Sequence, residues 1–312
     1  MKIALIGKFA MYNAEYFYSK AFRKMGHDVE FFDQYSGINH STIHRYIQSR
    51  SKIFHFLMSQ YDINKDIVTT LHRYDPDLII VFKGEFLSTR TLEELSRNFK
   101  IVLFWPDTYK FIPSIAGRIQ FFETLITASN NLDFYYRLGA RRALTVPWAC
   151  DPEFHRYLNM DPKYKISFVG TAYLERRRIL KQIRDVNVFG DYWFGFGLRH
   201  QAVIGEEYVK TINSSRINLN LQARISIMAD APTMRTFEIA GCRSFQISDH
   251  MPSLKTYFPE IVTFKTLDEL KDLIAYYINA ESERNEISNK LQERCYKHFT
   301  YFLTAKRILE KV

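Results

Sequence analysis

Residues 166–180 read ISFVGTAYLERRRIL and contain the unit from which the fold is built. The apolar run Ile166–Val169 predicts a buried strand, and Gly170-Thr171 predicts a tight turn after it. A helical pattern follows from Leu174 to Asp185. A near-continuous apolar strand joined to a helix is typical of parallel sheets covered on both faces, because neither face of such a strand meets water. Repeated along the chain, the unit predicts an α/β protein.

The same alternation continues on both sides of this unit. Predicted strands, each separated from the next by a helical or loop segment, cover Lys2–Ile6, Asp28–Phe32, Asp77–Phe82, Ile101–Trp105, Leu125–Ala128, Ala143–Val146, Val186–Phe189, Ile217–Leu221, Ser244–Ile247 and Ile261–Phe264. A segment rich in proline and charge interrupts the pattern near Ala149–Lys165. We therefore predict two Rossmann-like domains with parallel sheets facing a central cleft: residues 1–155, and residues 160–295. A C-terminal helix at about 296–312 is expected to pack back on the first domain.

The composition is that of a globular chain. Its 312 residues suffice for two domains of ordinary size, and 46% apolar and 25% charged residues are typical values. Three scattered cysteines without a C-x-x-C pair predict neither a disulfide framework nor a zinc knuckle. The chain shows no signal-peptide pattern and no apolar run of transmembrane length. We expect a cytoplasmic protein, or one peripheral to a membrane without a transmembrane segment.

The formal net charge of +9 leaves several partners open. DNA, an anionic membrane surface or a phosphate-bearing substrate would suit it, and so would no charged partner at all, because the charge is spread along the chain. Sequence patterns of other chemistries are missing: G-x-x-x-x-G-K-[ST], G-x-G-x-x-G after the first strand, H-E-x-x-H and G-x-S-x-G. We therefore expect no metal and no cofactor.

Ligands of open α/β sheets bind beyond the carboxyl ends of the strands, close to helix N-termini. The first candidate there is Gly170-Thr171 with Arg176–Arg178. Glycine would allow close backbone approach, threonine could donate its hydroxyl, and Arg176 or Arg177 could bind a phosphate with its planar fork of donors. The alternative is an ordinary tight turn before a solvated basic helix face.

The second candidate is the stretch MADAPTMRTFEIAGCRSFQISDH, residues 228–250. Asp230 is positioned to cap a helix, and Arg235 and Glu238 share one face of that helix. Gly241 would end the helix at its usual position. These residues form either an anion site or merely a cap, a surface ion pair and a stop.

A third candidate is the loop of residues 190–197, GDYWFGFG, where Gly190 follows a strand. It could wall a base or sugar ring, or simply pack its aromatic side chains beneath a turn.

The order of these pieces resembles the GT-B glycosyltransferases, and within them the CgeB-like group. The likeness spans nearly the whole chain, and each motif is weak alone. It is carried by GHDVEFFD, DPDLIIVFKG, VLFWPDT, LITASNNLDFYYRLGARRALTVPWACDPEFH, ISFVGTAYLERRRIL, SSRINLNLQ, MRTFEIAGCRSFQISD and YKHFTYFLTAKRIL.

The resemblance implies a metal-independent transferase that uses a nucleoside-diphosphate sugar, such as a UDP-sugar, as co-substrate. Many retaining members carry an E-x7-E pair, in which the second glutamate holds the donor ribose and the first contacts the transferred sugar. Here Glu238 matches the second, whereas Asp230 stands at the first position and is one methylene shorter. Arg235 matches the R-x-F-E pattern and would pair with the diphosphate. Retention of configuration is slightly favoured.

An inverting enzyme would instead need a general base near the acceptor hydroxyl. Asp107 and Glu85 follow strands of the first half and are candidates, although turn chemistry beside Pro106 and Gly84 is the simpler explanation of both. Two further alternatives stay open. The chain could be a non-catalytic nucleotide-binding module of the same fold, or a glycosyltransferase that modifies DNA.

Overall fold

The computed structural model describes residues 1–8, 10–34, 65–106, 115, 117–191, 193 and 200–312. It divides into two compact units, Met1–Val146 with Ala305–Val312, and Pro147–Thr304. No helix in the described part of the chain is long and apolar enough to cross a membrane.

The first unit is built on a parallel sheet. Its strand order is β2-β1-β3-β4-β5-β6. The strands are β1 Lys2–Gly7, β2 Asp28–Asp33, β3 Leu78–Phe82, β4 Ile101–Trp105, β5 Thr124–Thr127 and β6 Ala143–Thr145. The helices are α1 Ala14–Lys24, α2 Lys65–Tyr74, α3 Thr89–Asn98 and α4 Leu132–Arg137, with a 3-10 turn at Ile119–Phe121.

Burial on both faces holds this sheet. Every residue of β3 and β4 is buried, as their unbroken apolar runs predict. The Phe82 and Phe104 ring centroids lie 4.9 Å apart, and the Tyr18 ring of α1 lies 5.2 Å from that of Phe104. Burying a phenylalanine side chain stabilises a fold by about 1.5–3 kcal/mol. The aromatic content of this half therefore includes core residues.

The second unit repeats the design with a second parallel sheet, in the order β12-β11-β10-β7-β8-β9. The strands are β7 Tyr164–Val169, β8 Val186–Phe189, β9 His200–Gln201, β10 Ser215–Asn220, β11 Gln246–Asp249 and β12 Val262–Phe264. The helices are α5 Leu174–Leu180, α6 Glu206–Asn213, α7 Arg224–Met228, α8 Met234–Gly241, α9 Pro252–Tyr257, α10 Leu267–Tyr277 and α11 Glu281–His298. The last helix, α12 Tyr301–Lys311, begins in this unit, and its residues from Ala305 onward belong to the first unit. The short edge strand β9 was not predicted.

Buried amide groups fix helix α8 against the centre of this sheet. Asn220 Nδ2 donates to Thr236 Oγ1 at 2.8 Å and to Gln246 Oε1 at 2.9 Å. Gln246 Nε2 donates to the Thr236 carbonyl at 3.0 Å. A buried polar group that loses its partner costs about 1–3 kcal/mol, so these bonds define how α8 sits on β10 and β11.

The end of α8 corrects one expectation. The helix is closed by bonds from the Ser244 N–H to the Ile239 carbonyl and from the Arg243 N–H to the Ala240 carbonyl, with Arg243 at φ +54°. This is the Schellman pattern, and the left-handed residue in it is Arg243 rather than Gly241. Gly241 lies inside the helix for another reason: a Cβ there would stand 2.9 Å from Cys150 Cβ. Glycine is needed for close packing, not for stopping the helix.

Candidate functional site

The candidate site lies at the carboxyl edge of β7, β10 and β11 in the second unit. Val169 ends β7 and Asp249 ends β11, while Leu221 follows β10. The backbone or side-chain oxygens of these three residues each accept a hydrogen bond from a group of the candidate site. Because parallel strands end on the same edge, residues far apart in sequence meet here.

Arg235 lies at this edge, on the first turn of α8. One guanidinium nitrogen donates to the Val169 carbonyl at 2.7 Å, and the guanidinium carbon lies 5.0 Å from the centroid of the Tyr208 ring. A planar guanidinium held by a ring face and a carbonyl has few rotamers left. Within the part of the chain that the structure describes, Val169 is the hydrogen-bond acceptor of this side chain, so its other N–H donors keep a defined orientation.

Arg176 also reaches this edge, from helix α5. Its Nε donates to the Leu221 carbonyl at 2.9 Å and one terminal nitrogen donates to the Thr171 carbonyl at 3.0 Å. Only 9% of the residue is exposed, and burial lowers the pKa of its guanidinium to about 10, an effect to which nearby Arg235 adds. The group remains a cation at neutral pH. Two arginines therefore place positive charge at one strand edge.

Arg177 does not share this arrangement. Consecutive helical residues project about 100° apart, and Arg177 is half-buried on a different side of α5. Its neighbour Arg178 is exposed. Of the three predicted arginines, Arg176 is the one that the fold turns toward the strand edge.

Glu238 is buried, with 4% exposure, one turn after Arg235. The alternative of a surface ion pair with Arg235 does not hold, because Glu238 is buried and its Oε2 accepts a hydrogen bond from the Tyr208 hydroxyl at 2.7 Å. Its Oε1 lies 3.7 Å from His155 Nε2. His155 Nδ1 accepts the Asp151 N–H at 3.0 Å, which places the imidazole proton on Nε2, facing the carboxylate. Tyr208 and His155 were missed by sequence reasoning, because nothing local links them to Glu238.

Asp230 has a different structural role from the predicted one. Helix α8 begins after Thr233, so Asp230 does not cap it. Asp230 Oδ1 instead accepts from the Ser253 hydroxyl at 2.7 Å and the Ser253 N–H at 3.1 Å, and so satisfies the first turn of α9. Its backbone has φ +44°, a left-handed conformation that aspartate tolerates better than most residues. This bond leaves Oδ2 as its other acceptor.

Gly170 and Gly190 approach each other rather than an open space. A Cβ on Gly190, which has φ +115°, would lie 2.5 Å from the Gly170 carbonyl oxygen. That same oxygen accepts the Trp193 indole N–H at 2.8 Å, and the Trp193 ring is buried against Phe168. Trp193 is therefore packed beneath the turn, as the second of the two interpretations of this loop expects. Residues 192 and 194–197 lie outside the described part.

Asp249 is a carboxylate of this edge that sequence reasoning did not single out. Its Oδ2 accepts the Gln222 N–H at 2.6 Å. Burial raises its pKa from 3.8 to about 6, although the Gln222 bond and the charge of Arg176 act the other way. The only sequence signal was its position as the last residue of a buried strand.

Of the two candidate bases in the first unit, Asp107 lies outside the described residues. Glu85 is buried and follows β3 after Lys83 and Gly84, both at positive φ. Burial raises the pKa of the nearby Glu15 carboxyl, and the charge of Glu85 adds to this effect. Glu85 thus lies at the carboxyl end of its strand, where its charge and the opposite charge of Lys83 both act on Glu15. Within the described residues, no three His, Cys, Asp or Glu side chains are grouped as metal ligands would be.

Comparisons with known proteins match part of the chain by sequence and nearly all of it by structure. Residues 174–310 match the family model described as glycosyl transferase-like. Spore protein CgeB of Bacillus subtilis (strain 168) is 22% identical over 259 residues, which are 74% of this chain and 81% of CgeB. Sucrose-phosphate synthase from Thermosynechococcus elongatus has a TM-score of 0.69 at 13% identity, covering 99% of this chain and 98% of that one. Anabaena HepE, solved with UDP-glucose, has a TM-score of 0.67 at 12% identity, covering 100% and 99%.

These matches agree with the two parallel sheets described above. The structural likenesses extend across both units, at identities that carry information on the fold alone. The predicted fold class and the predicted resemblance are confirmed. The chain therefore has the fold of these GT-B glycosyltransferase structures, resembles CgeB over 259 residues, and matches the glycosyl transferase-like family model over residues 174–310.

Proposed function

We propose that the protein transfers a sugar from a nucleoside-diphosphate sugar, which it binds at the carboxyl edge of the second sheet. The observation that carries this proposal is that Arg235 and Glu238 lie one turn apart on one helix, each held by a different partner. Arg235 is fixed at the strand edge by Val169, and Glu238 is fixed one turn deeper by Tyr208. A cation and a buried carboxylate at this spacing suit the diphosphate and the ribose hydroxyls of one nucleotide.

Arg235 and Arg176 would stabilise the leaving diphosphate. Breaking the glycosidic bond to a nucleotide leaves negative charge on the diphosphate, and preorganised cations lower the barrier because they need no reorganisation. Both guanidiniums are already held by backbone carbonyls. Gly170 and Thr171 would add backbone and hydroxyl groups beside them, and Gly190 supports that turn. Arg177, on another side of α5, would act only through long-range charge.

Glu238 would accept hydrogen bonds from the ribose. A carboxylate offers about four lone-pair directions, and Tyr208 uses one of them. A ribose hydroxyl that donates to one of the remaining lone pairs would be bound by a charged acceptor. Such a hydrogen bond is stronger than one to a neutral acceptor.

Asp230 would face the transferred sugar with the oxygen that Ser253 does not use. A carboxylate near the sugar stabilises the oxocarbenium character of the transition state and favours retention of configuration. An inverting reaction would instead use Glu85 or Asp107 as general base. Proton NMR of the anomeric signal in the first product decides between the two outcomes.

The experiment that tests the proposal is a binding panel followed by turnover. UDP, GDP, ADP and dTDP are added to the protein, and the rise in melting temperature identifies the base, since a ligand of the folded state stabilises it. Release of that diphosphate from its sugar nucleotides is then measured for wild type, Glu238→Gln and the exposed control Glu286→Gln. We expect Glu238→Gln to lose at least about tenfold in affinity, in line with a hydrogen bond to a charged group, and the control to lose none. No melting shift with any diphosphate would refute the proposal.

A binding module without transfer is the main alternative, because Asp230 is shorter than the family glutamate. It predicts a melting shift without any nucleotide release. Measurable release above the hydrolysis seen with Glu238→Gln would exclude it.

An anionic acceptor is favoured by a cavity of about 360 Å³ in the first unit. Lys20, Arg23 and Tyr16 line it from one face of α1, and Lys8 and Phe31 are among its other lining residues. Cations beside aromatic rings suit an acceptor that carries phosphate or carboxylate. Duplex DNA is one such acceptor, and its binding would weaken with salt by about 0.9 log units per log unit of salt for each phosphate neutralised. Binding to duplex DNA without a salt slope, or no binding, would exclude DNA.

A further inference from the structure

Tyr208 of helix α6 contacts both residues on which the proposed donor site depends. Its hydroxyl donates to Glu238 Oε2 at 2.7 Å, and its ring lies 5.0 Å from the guanidinium carbon of Arg235. The residue is buried, with 8% exposure. Neither contact follows from α6 itself, because both partners lie on α8.

The hydroxyl gives the Glu238 carboxylate a fixed direction. Burial raises the pKa of the Tyr208 phenol well above its usual value, and the charge of Glu238 raises it further. The phenol therefore stays protonated and acts as the donor. The Nε2–H of His155 lies on the side of the other oxygen, 3.7 Å away. The Tyr208 hydrogen bond holds one carboxylate oxygen, and the Nε2–H of His155 adds an electrostatic attraction on the side of the other, so the plane of the carboxylate favours one orientation.

The ring has a separate effect on Arg235. A guanidinium over an aromatic face is attracted by the π-electrons, and the Val169 carbonyl holds the guanidinium at 2.7 Å. Losing the ring would leave that single hydrogen bond and free the side chain to rotate about its last torsions. The hydroxyl and the ring thus act on different partners, so substitutions can separate them.

We propose that Tyr208 is a positioning residue that aligns the ribose acceptor Glu238 through its hydroxyl and the diphosphate donor Arg235 through its ring. This inference rests on the proposed function, and it adds that two features of the nucleotide are recognised through one side chain. In this assignment Tyr208 acts on the nucleotide only through Glu238 and Arg235. Its removal changes which parts of the nucleotide contribute to affinity, not only the total affinity.

Two variants test the two effects separately. Tyr208→Phe removes the hydroxyl and keeps the ring, whereas Tyr208→Leu removes both. Affinities are measured by calorimetry for UDP, 2′-deoxy-UDP, 3′-deoxy-UDP and UMP, with the base replaced if the panel selects another. The larger of the two deoxy penalties reports on Glu238, and the ratio of UDP to UMP affinity reports on Arg235.

In Tyr208→Phe we expect the deoxy penalty to shrink by about tenfold while the UDP-to-UMP ratio stays at the wild-type value. In Tyr208→Leu we expect both the deoxy penalty and the UDP-to-UMP affinity ratio to decrease. A matched control is Tyr276→Phe, which removes a hydroxyl bound to Glu283 Oε2 at the same 2.7 Å but on the exposed surface. It should change neither ratio.

A purely structural role predicts a different pattern. Both Tyr208 variants would then lower the melting temperature and weaken all four nucleotides by one common factor, leaving both ratios unchanged, and that result would overturn the inference. An unchanged deoxy penalty in Tyr208→Phe would overturn it as well. If no nucleoside diphosphate binds wild type, the proposed function fails and the inference fails with it, whereas binding with unchanged ratios refutes the inference alone.

Discussion

Replacing Asp249 by asparagine offers the sharpest test of the electrostatics at the strand edge. The side chain is only partly exposed at the end of β11, and Oδ2 accepts the Gln222 N–H at 2.6 Å. Burial raises its pKa from 3.8 to about 6 despite that hydrogen bond and the nearby Arg176. Asparagine is close in shape and its amide oxygen can accept the same N–H, but it cannot ionise.

The direction of the pH effect on stability follows from proton uptake by Asp249. Between about pH 6 and pH 4 the folded protein holds a proton on Asp249 that the unfolded chain has lost, so this group's contribution to stability increases as the pH falls through 6. Above pH 6 the buried charge destabilises the fold. One pKa unit corresponds to about 1.4 kcal/mol, so the shift amounts to about 3 kcal/mol over the window.

The assay is urea denaturation of wild type and Asp249→Asn at pH 7.5, 5 and 4. We expect the stability of the variant relative to wild type to fall by about 2.5 kcal/mol from pH 7.5 to pH 4, most of the full shift, whatever constant effect the substitution also has. Asp268→Asn is the control, since the Asp268 side chain is 92% exposed. Its difference from wild type should change little with pH. A pH-independent difference for Asp249→Asn would refute the assigned burial of the charge.

Three further outcomes are expected. Gly190→Ala should lower the unfolding free energy by at least about 3 kcal/mol, because the residue has a positive φ and the new Cβ would lie 2.5 Å from the Gly170 oxygen. The control Gly26→Ala has φ +84° but open space around its Cβ, so it should cost only the backbone strain of about 1–2 kcal/mol. Ser253→Ala should lower the melting temperature by the equivalent of about 1–2 kcal/mol through the lost bond to Asp230, and an unchanged melting curve would contradict that contact. Burial raises the pKa of the Cys150 thiol well above its usual value, so this thiol should react with a disulfide reagent only after urea unfolding. Fast reaction of Cys150 in the folded protein would contradict its burial.

Much of the fold could be predicted because burial leaves a local trace in the sequence. Strands β3 and β4 are apolar at every position, and a strand buried on both faces requires that pattern. The edge strand β9, at His200–Gln201, has no such trace, since an edge strand of two residues buries little. Its pairing with β8 depends on where the neighbouring strand lies.

The ends of helices were less predictable, because competing local solutions have similar energies. Asp230 and Gly241 both occupy positions typical of a cap and a stop for α8. The structure instead uses Asp230 on the first turn of α9 and Arg243 in the left-handed position after α8. Aspartate can cap any nearby N-terminus, and only packing decides which one it reaches.

The sequence by itself determined the class of fold and the helix that carries Arg235 and Glu238. Apolar periodicity and turn residues act over a few positions, so they can be recognised without coordinates. The tertiary structure alone decided that Glu238 is buried against Tyr208 and His155, and that Arg235 is held by Val169 rather than by Glu238. These partners meet because parallel strands deliver distant residues to one edge, and the choice among possible hydrogen bonds depends on packing that no local pattern records.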